Sequence, residues 1–406
     1  MKTKITLFTI ILAMIGLSNF ANAQWVHTTG ITNVNGVSTS FISDGTNIYA
    51  GTARKTSGNG GGGVFVSTDN GSSWTQSNTG LTNLNVLSLA ISGVNIFAGT
   101  DQGGVFLSTN SGGSWTKVNT GLTDSVVNAL AINGNNIYAG TKNNGVFVSS
   151  NNGTSWVALG QTGMTNHYVY SLAITGSAII AGTGNGVCVS TDNGTNWTLT
   201  SLIGTAHQVT TLALSGTTIF AGCTGSPGPG VFYSNDNGVT WAATGLTAGN
   251  IPSLAANSTS VFAATSGQYV KLSTDNGVTW TTPSHSPMDY ITSSVAIIGT
   301  NVFAGDDTYN GLVWKRPLSE MVTGIESPIT HSGVEVYPNP SSGKFIINSQ
   351  ITKGEVSVYN GLGENIYQSS LSSLQFTLDI SSKPRGIYFV KISDGEKIYL
   401  NKIIVQ

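Results

Sequence analysis

The amino-acid sequence predicts an all-β protein in which a seven-bladed β-propeller is followed by a small C-terminal β-sandwich. An eight-residue stretch ending in Gly-x-x-Trp, which we call the box, begins at Ser67 and returns five more times at an interval of about 40 residues. A strand-like Asn-Ile-Tyr-Ala-Gly-Thr segment beginning at Asn47 has six later counterparts, which makes seven. Only 8% of residues are charged and 52 are Gly, a composition that favours strands and turns.

We interpret the six boxes as structural turns. The acidic or amide side chain accepts backbone N–H groups across the turn, Gly takes a positive φ, and Trp packs between strands. A cation loop is the alternative, but each box offers at most one carboxylate, so no metal is expected. The residues concerned are Asp69 and Trp74, Asn110 and Trp115, Asn151 and Trp156, Asp192 and Trp197, Asp236 and Trp241, and Asp275 and Trp280.

Each repeat has the same internal order of elements. An apolar run such as 86–91 precedes a Gly turn and the second strand, and a loop then leads to a third strand, the box and a fourth strand. Runs that are apolar on both faces are typical of sheets packed between neighbouring sheets. The second strands are predicted at 47–52, 95–100, 136–141, 178–183, 218–223, 260–265 and 301–306.

The ends of the array indicate how the ring closes. The seventh repeat reaches Arg316 and then Pro317 without a box, so it lacks a fourth strand. The segment that begins at Trp25 matches the strand that follows each box but has no strands before it. We therefore predict that this segment completes the seventh blade. The predicted domains are a propeller at 24–316, a linker at 317–333 and a sandwich of alternating strands at 334–406.

The N-terminus predicts export. Residues 1–23 combine Lys2 and Lys4, an apolar run and a small-residue site ending at Ala23, as a cleavable signal peptide does. A membrane anchor is the less favoured alternative because the apolar run is short for a bilayer span. We expect no transmembrane segment in the mature chain. A net charge of -2 argues against a nucleic-acid partner, and no cofactor signature is present.

Cys188 and Cys223 are the two cysteines of the chain. Cys188 stands where other repeats have Phe, and Cys223 replaces a Thr at the end of a second strand. We favour free buried thiols over one disulfide between blades, because Cys behaves as a small hydrophobic residue when buried.

Two resemblances add to this interpretation. The spaced boxes resemble the Asp-box, or BNR, repeat of sialidases, xyloglucan hydrolases, sortilin-type receptors and photosystem II assembly propellers, which implies a scaffold but no single chemistry. The tail carries Val-Tyr-Pro-Asn-Pro-x-x-Gly from Val336, Gly-Ile-Tyr-Phe-Val-Lys from Gly386 and Lys-Ile-Ile-Val from Lys402. It is similar to the type A sorting domain of the Bacteroidota type IX secretion system. The resemblance implies that residues 334–406 engage that machinery and that the propeller is extracellular or attached to the cell surface.

A ligand is expected on the rim away from the boxes, where the loops vary most. Aromatic rings offer a platform to the apolar faces of sugars, and amides and hydroxyls bond their edges. We therefore predict binding of a glycan or a surface protein rather than catalysis. The candidate ligand-binding residues are His167, Tyr168, Tyr170, His207, His285, Tyr290 and Tyr309.

A secreted glycoside hydrolase is the alternative, since such enzymes need two carboxylates that face each other across a sugar bond. A sialidase is excluded because the propeller has two arginines, Arg54 and Arg316, where three would be needed. The histidines lack a short metal-ligand spacing. An uncleaved adhesin is a third possibility. The catalytic candidates are Asp101, Asp124, Asp289, Asp306 and Asp307.

Overall fold

The computed structural model divides the chain into two compact units between Val322 and Thr323. It describes residues 25–31, 36–54, 60–200, 208–225, 230–247, 249–266, 269–283, 292–306, 312–322, 334–349, 353–360, 364–393 and 398–406. Within these ranges nearly all regular structure is β-strand, as predicted.

The first unit contains seven antiparallel sheets, which we call blades 1 to 7. The described chain begins with β1 (Val26–His27), which belongs to blade 7. Blade 1 contains β2 (Gly36–Ser43), β3 (Ile48–Arg54), β4 (Gly63–Ser67) and β5 (Thr75–Gln76); blade 2 contains β6 (Val86–Ser92), β7 (Asn95–Thr100), β8 (Gly104–Ser108) and β9 (Thr116–Lys117); and blade 3 contains β10 (Val127–Asn133), β11 (Asn136–Thr141), β12 (Val146–Ser149) and β13 (Val157–Ala158).

The remaining blades follow the same order. Blade 4 contains β14 (Val169–Thr175), β15 (Ala178–Thr183), β16 (Gly186–Ser190) and β17 (Thr198–Thr200), and blade 5 contains β18 (Gln208–Ser215), β19 (Thr218–Thr224), β20 (Val231–Ser234) and β21 (Ala242–Ala243). In blade 6 the described residues form three strands, β22 (Ser253–Ala256), β23 (Val261–Ala264) and β24 (Lys271–Ser273), and Thr281 forms an isolated bridge to Leu272 where the fourth strand is expected. Blade 7 contains β25 (Thr292–Ile298), β26 (Asn301–Asp306) and β27 (Val313–Pro317).

Blade 7 is completed by the N-terminal segment, as the repeat pattern predicts. Strand β1 pairs with β27, with Val26 opposite Lys315 and His27 opposite Trp314. The pairing continues at Thr28, whose backbone N–H donates to the Val313 carbonyl at 2.9 Å. Trp25 is buried, with 4% of its surface exposed. The first and last parts of the propeller sequence therefore share one sheet and close the ring.

A second circle of hydrogen bonds joins the innermost strands. The first strand of each blade packs against the first strands of both neighbours. At every blade interface a side chain donates to a backbone carbonyl in or beside the first strand of the next blade. The donors and acceptors are Thr39 and Val86 (2.7 Å), Ser88 and Val127 (3.5 Å), Asn128 and Val169 (2.9 Å), Ser171 and Val209 (3.4 Å), Thr210 and Ile251 (2.7 Å), Ser253 and Val295 (3.4 Å), and Ser294 and Ser38 (2.8 Å).

Each box is a tight turn held by its own side chains. In the first box, Asp69 Oδ1 accepts the backbone N–H groups of Ser72 and Ser73, both at 2.9 Å, and Ser67 Oγ accepts the Gly71 N–H at 2.8 Å. Asn110 does the same through its amide oxygen, which accepts the Ser114 N–H at 2.9 Å. The residue before the box Gly is also left-handed, with a φ of 57° at Asn70. An amide side chain therefore serves this turn as a carboxylate does.

The box Trp side chains fasten neighbouring blades together. Five of the six indole N–H groups donate to the preceding blade; Trp241 donates in addition to the Gly238 carbonyl of its own box at 2.9 Å, and Trp280 donates to the Gly277 carbonyl of its own box at 3.1 Å. Gly30 lies so close to the Trp74 backbone that a side chain would not fit, because an added Cβ would stand 2.0 Å from the Trp74 carbonyl oxygen. The five donors and acceptors are Trp74 and Thr28 Oγ1 (3.0 Å), Trp115 and Ser77 O (2.7 Å), Trp156 and Val118 O (2.8 Å), Trp197 and Gly160 O (2.7 Å), and Trp241 and Thr200 Oγ1 (3.2 Å).

The propeller unit extends six residues beyond the predicted boundary at Arg316. After β27 the chain forms the short helix α1 (Ser319–Val322), and the Leu318 N–H donates to the Thr300 carbonyl at 2.7 Å. Met321 is buried in the cluster that contains Trp25. The buried Arg316 guanidinium donates to the Glu320 carbonyl at 3.3 Å. Residues 317–322 thus belong to the packed unit rather than to a linker, because they cover apolar surface of blade 7.

The second unit is a β-sandwich. One sheet has the order β28 (Val334–Tyr337), β29 (Lys344–Ser349), β32 (Gln375–Asp379), and the other β31 (Asn365–Leu371), β30 (Gly354–Tyr359), β33 (Gly386–Ser393), β34 (Ile398–Val405). Inward-facing side chains of both sheets, including Phe345, Ile347, Val356 and Ile403, form one buried cluster. The alternation seen in the sequence therefore corresponds to the two faces of each strand.

Both cysteines are free and buried, in agreement with the favoured expectation. Cys188 packs with Tyr138 and Val146 of blade 3, whereas Cys223 packs with Val187 and Val189 of blade 4. Burial raises the pKa of the Cys188 thiol to about 11 and that of Cys223 to about 12.

These thiols should not react with a thiol reagent in the native protein at pH 8. The thiolate is the reactive form, and at this pH neither group is appreciably ionised. Ellman's reagent should detect no thiol under native conditions and two per chain after unfolding in guanidinium chloride. Rapid reaction of one thiol in the folded protein would contradict this burial.

Deleting residues 24–30 should lower the midpoint of thermal unfolding by an amount on the order of 10 °C, because the buried Trp25 side chain is removed and β27 loses one of its two partner strands. Differential scanning calorimetry of residues 24–406, with and without residues 24–30, would measure this. Val26→Ser is the matched control, since the Val26 side chain is exposed and the strand is kept. An unchanged midpoint in the deletion variant would contradict closure by β1.

The box carboxylates should contribute to the free energy of unfolding only at pH values where they are ionised. Hydrogen bonds from Thr240 hold the pKa of Asp236 at about 2, against about 3.9 in an unfolded chain. The contribution is therefore present above about pH 4 and lost as pH falls towards 2. Asp236→Asn should keep the turn, as Asn110 does, and should weaken the fall in the thermal midpoint between pH 4 and 2. Asp236→Ala should lose stability at neutral pH; equal behaviour of the two variants would refute this role.

Candidate ligand-binding rim

The two edges of the propeller carry different groups. Because adjacent strands are antiparallel, the boxes and the turns between first and second strands lie on one edge, which we call the box rim. The turns between second and third strands and the connections between blades lie on the other edge, which we call the loop rim. The described candidate residues Asp101, Asp124, His167 and Tyr168 lie in loop-rim turns and connections, while Tyr170 and Asp306 lie on the strands next to them.

Tyr168 and Tyr170 form a stacked pair at the start of blade 4. Their ring centroids are 4.0 Å apart and the ring planes differ by 15°. Both side chains are half-buried. Tyr170 lies where the β14–β15 register shifts, and the Tyr168 N–H donates to Asn166 Oδ1 at 2.9 Å. The bulge and this turn therefore hold the two rings together.

Lys142 lies beside this pair, with its Nζ 5.9 Å from the centroid of the Tyr168 ring. Burial, followed by the neighbouring Tyr170 and the charge of Asp101, raises the pKa of the Tyr168 phenol. Burial also raises the pKa of Tyr170. Both phenols therefore stay neutral near pH 7 and can donate hydrogen bonds.

Asp101 is committed to an ion pair with a neighbouring blade. Arg54 at the end of β3 donates to Asp101 Oδ2 at 2.7 Å, and both side chains are partly buried. The surrounding backbone is also fixed, since the Arg54 N–H donates to Asn85 Oδ1 at 3.0 Å. This pair links blades 1 and 2 and leaves Asp101 poorly placed to serve as a general acid.

Asp124 and Asp306 also have structural surroundings. Asp124 is 6% exposed, and its two oxygens accept the N–H groups of Val126 at 3.0 Å and Asn143 at 2.7 Å. Asp306 is 8% exposed at the end of β26, in the position that Thr100 has in blade 2. The three described catalytic candidates are thus an ion-pair partner, a turn cap and a buried strand end.

The other predicted site residues are placed as follows. His167 is half-buried, and its carbonyl accepts the Gly145 N–H at 3.1 Å. In the part of the chain that the structure describes, no group of three His, Cys, Asp or Glu side chains could hold a metal ion. Six candidates lie outside the described residues: His207, His285, Asp289, Tyr290, Asp307 and Tyr309.

The two propeller arginines do not meet. Arg54 ends β3 at the loop rim, whereas Arg316 lies near the end of β27 towards the box rim. This placement agrees with the exclusion of a sialidase site. Neither the contact of Lys142 with Tyr168 nor the Arg54–Asp101 pair was predicted from the sequence. The i, i+2 spacing of Tyr168 and Tyr170 on an entering strand was the available signal for the stack.

Comparison with known proteins identifies the second unit. A family model described as a secretion system C-terminal sorting domain matches residues 335–406. An endo-acting ulvan lyase of Formosa agariphila is 32% identical over 99 residues, which cover 23% of this chain and 19% of the lyase. The alignment thus spans about a fifth of that relative.

Solved structures show the same fold for the first unit. The extracellular domain of BT4673 from B. thetaiotaomicron has 19% identity and a TM-score of 0.58, covering 93% of this chain and 52% of that chain. A GH74 enzyme of Niastella koreensis has 15% identity and a TM-score of 0.58, covering 92% and 73%. The chain therefore spans about half of the BT4673 domain, and at these identities the likeness concerns the fold.

Among the described residues no helix is long and apolar enough to cross a membrane. The sorting domain implies export to the cell surface or the extracellular space. The chain is therefore a β-propeller protein that carries, at residues 335–406, a C-terminal sorting domain of the type IX secretion system.

Proposed function

We propose that this protein is an exported binding propeller that holds an extracellular polysaccharide on its loop rim without cleaving it. The observation that carries the proposal is the Tyr168–Tyr170 stack, half-buried and fixed at the mouth of blade 4. Aromatic rings bury the apolar face of a pyranose, and rigid rings lose little entropy on binding.

The groups around the stack match the edges of a sugar. Lys142 is exposed and lies beside Tyr168, and the residue after it, Asn143, is also exposed. Asn144 donates to the Thr123 hydroxyl at 3.2 Å. Together with the two phenols, these amides and hydroxyls supply donors and acceptors in a shallow surface. Neutral amides, hydroxyls and phenols near an aromatic platform, with one cation at Lys142, favour a polyhydroxylated ligand over an apolar one.

The described carboxylates favour binding over hydrolysis. A glycosidase needs one carboxyl group with a raised pKa and a second carboxylate facing it across the substrate. Asp101 and Asp124 are occupied by Arg54 and by backbone N–H groups. The hydrolase alternative would therefore depend on Asp289, Asp307 or the buried Asp306.

Tyr168→Ala should weaken polysaccharide binding at least tenfold, because truncating a central aromatic hot spot typically costs about 2 kcal/mol or more. A glycan array probed with the mature chain identifies a ligand, and isothermal titration calorimetry then measures the affinity. Tyr337→Ala is the matched control, since it removes an exposed Tyr of the sorting domain.

A reducing-sugar assay on the same glycans separates the alternatives. We expect no release of sugar. Release that Asp289→Asn or Asp306→Asn abolishes while binding persists would replace the proposal with a glycoside hydrolase. Absence of both binding and release across diverse glycans would instead indicate a protein ligand.

A further inference from the structure

The box rim has an apolar mouth around the propeller axis. One residue near the end of each first strand occupies an equivalent position in the pairing with the second strand. Its partner is the second residue of the second strand, or the first residue in blades 1 and 6, where that strand begins one residue later. In five blades it is a half-buried branched aliphatic residue; in blade 6 it is Ala256 and in blade 1 it is Ser43. The five are Ile91, Ile132, Ile174, Leu214 and Ile297.

A cavity of about 670 Å³ opens where Ser43 interrupts this series. Ile297 of blade 7 and Ile91 of blade 2 flank it, and Phe41 and Ile42 line it from blade 1. The Phe41 ring is fixed by neighbours, with centroids 6.2 Å from Trp74 and 6.0 Å from Phe303. The volume lies in the range of about 300–1,000 Å³ that suits a small molecule rather than a protein segment.

The cavity contains no charged side chain among the eleven described residues that line it. Two charged side chains stand close to the lining but outside it: Asp44 accepts the N–H groups of Thr46 and Asn47, and Lys315 donates to Ser72 Oγ and to the backbone carbonyl of Asn70. A charged ligand group seated among the lining residues would therefore lose hydration without meeting an opposite charge in the lining itself. The ligand that fits this lining is uncharged and largely aliphatic.

Two neutral polar groups stand at the edge of the cavity. The Ser43 hydroxyl is already used, because it donates to the Asn47 carbonyl at 2.8 Å. Within the described residues, however, the Thr46 hydroxyl and the Asn70 side-chain amide have no hydrogen-bond partner, although both residues line the cavity. They can bond a hydroxyl or ester group of a ligand whose chain lies on Ile91 and Ile297.

We propose that this cavity is a second binding site, which takes a neutral amphiphile with a single aliphatic chain. It lies on the rim opposite the Tyr168–Tyr170 stack, so it is independent of the polysaccharide site. The isoleucines hold the chain by burial of apolar surface, and Thr46 with Asn70 orients the uncharged head.

The test uses the full mature chain and the uncharged fluorophore N-phenyl-1-naphthylamine. We expect saturable fluorescence enhancement that monolauroylglycerol reverses, and at least tenfold weaker reversal by laurate, whose carboxylate meets no opposite charge among the lining residues. Ile91→Asn should weaken monolauroylglycerol binding at least tenfold. Ser43→Leu should weaken it similarly by filling the cavity while keeping it apolar.

Ile174→Asn is the matched control, because Ile174 has the same register position and similar burial in blade 4 but does not line the cavity. It should leave the affinity within twofold of the parent protein, and thermal midpoints should show that all variants fold. The proposal is overturned by absence of saturable binding, by an equal loss in Ile174→Asn, or by equal displacement with laurate.

Discussion

The pairing of β1 with β27 is the contact on which the rest of the propeller depends. A ring of sheets buries its apolar faces only when the last sheet meets the first, and here that closure uses a strand of two residues. The strand is reinforced by its surroundings: Trp25 is buried in the cluster of blade 7, and Thr28 accepts the indole N–H of Trp74 in blade 1. The short ladder therefore connects two blades and the first box at once.

The sequence predicts this architecture because the information is repeated. Six boxes and seven second strands indicate the blade count independently. The segment at Trp25 resembles a fourth strand, and the seventh repeat is the one that lacks it. The boundary at Arg316 could not be found in this way. Residues 317–322 belong to no repeat, and their inclusion depends on Met321 packing near Trp25, a tertiary contact between distant segments. The seven hydrogen bonds between first strands were not predicted either, because Thr, Asn and Ser all act as the donor and no single residue type marks the position.

The candidate site was predictable in kind but not in detail. Aromatic residues in variable loops indicated the loop rim, and Tyr168 and Tyr170 do form a stack there. The fate of each carboxylate could not be predicted, because it depends on partners from other turns. Arg54 lies 47 residues before Asp101, and Asn143 lies 19 residues after Asp124. No local pattern distinguishes these committed carboxylates from free ones.

Closure also explains why the two rims can differ in chemistry. The paired strands and the hydrogen bonds between first strands stabilise the ring. Side chains at the two rims are therefore not needed for stability unless they join neighbouring blades. At the loop rim, Thr39, Asn128 and Thr210 join blades, whereas Tyr170, at the corresponding bulge of blade 4, stacks with Tyr168 instead. At the box rim, Ser43 departs from the aliphatic series and leaves a cavity. At each rim, the surface proposed to bind coincides with a residue that departs from the repeat, Tyr170 at the loop rim and Ser43 at the box rim.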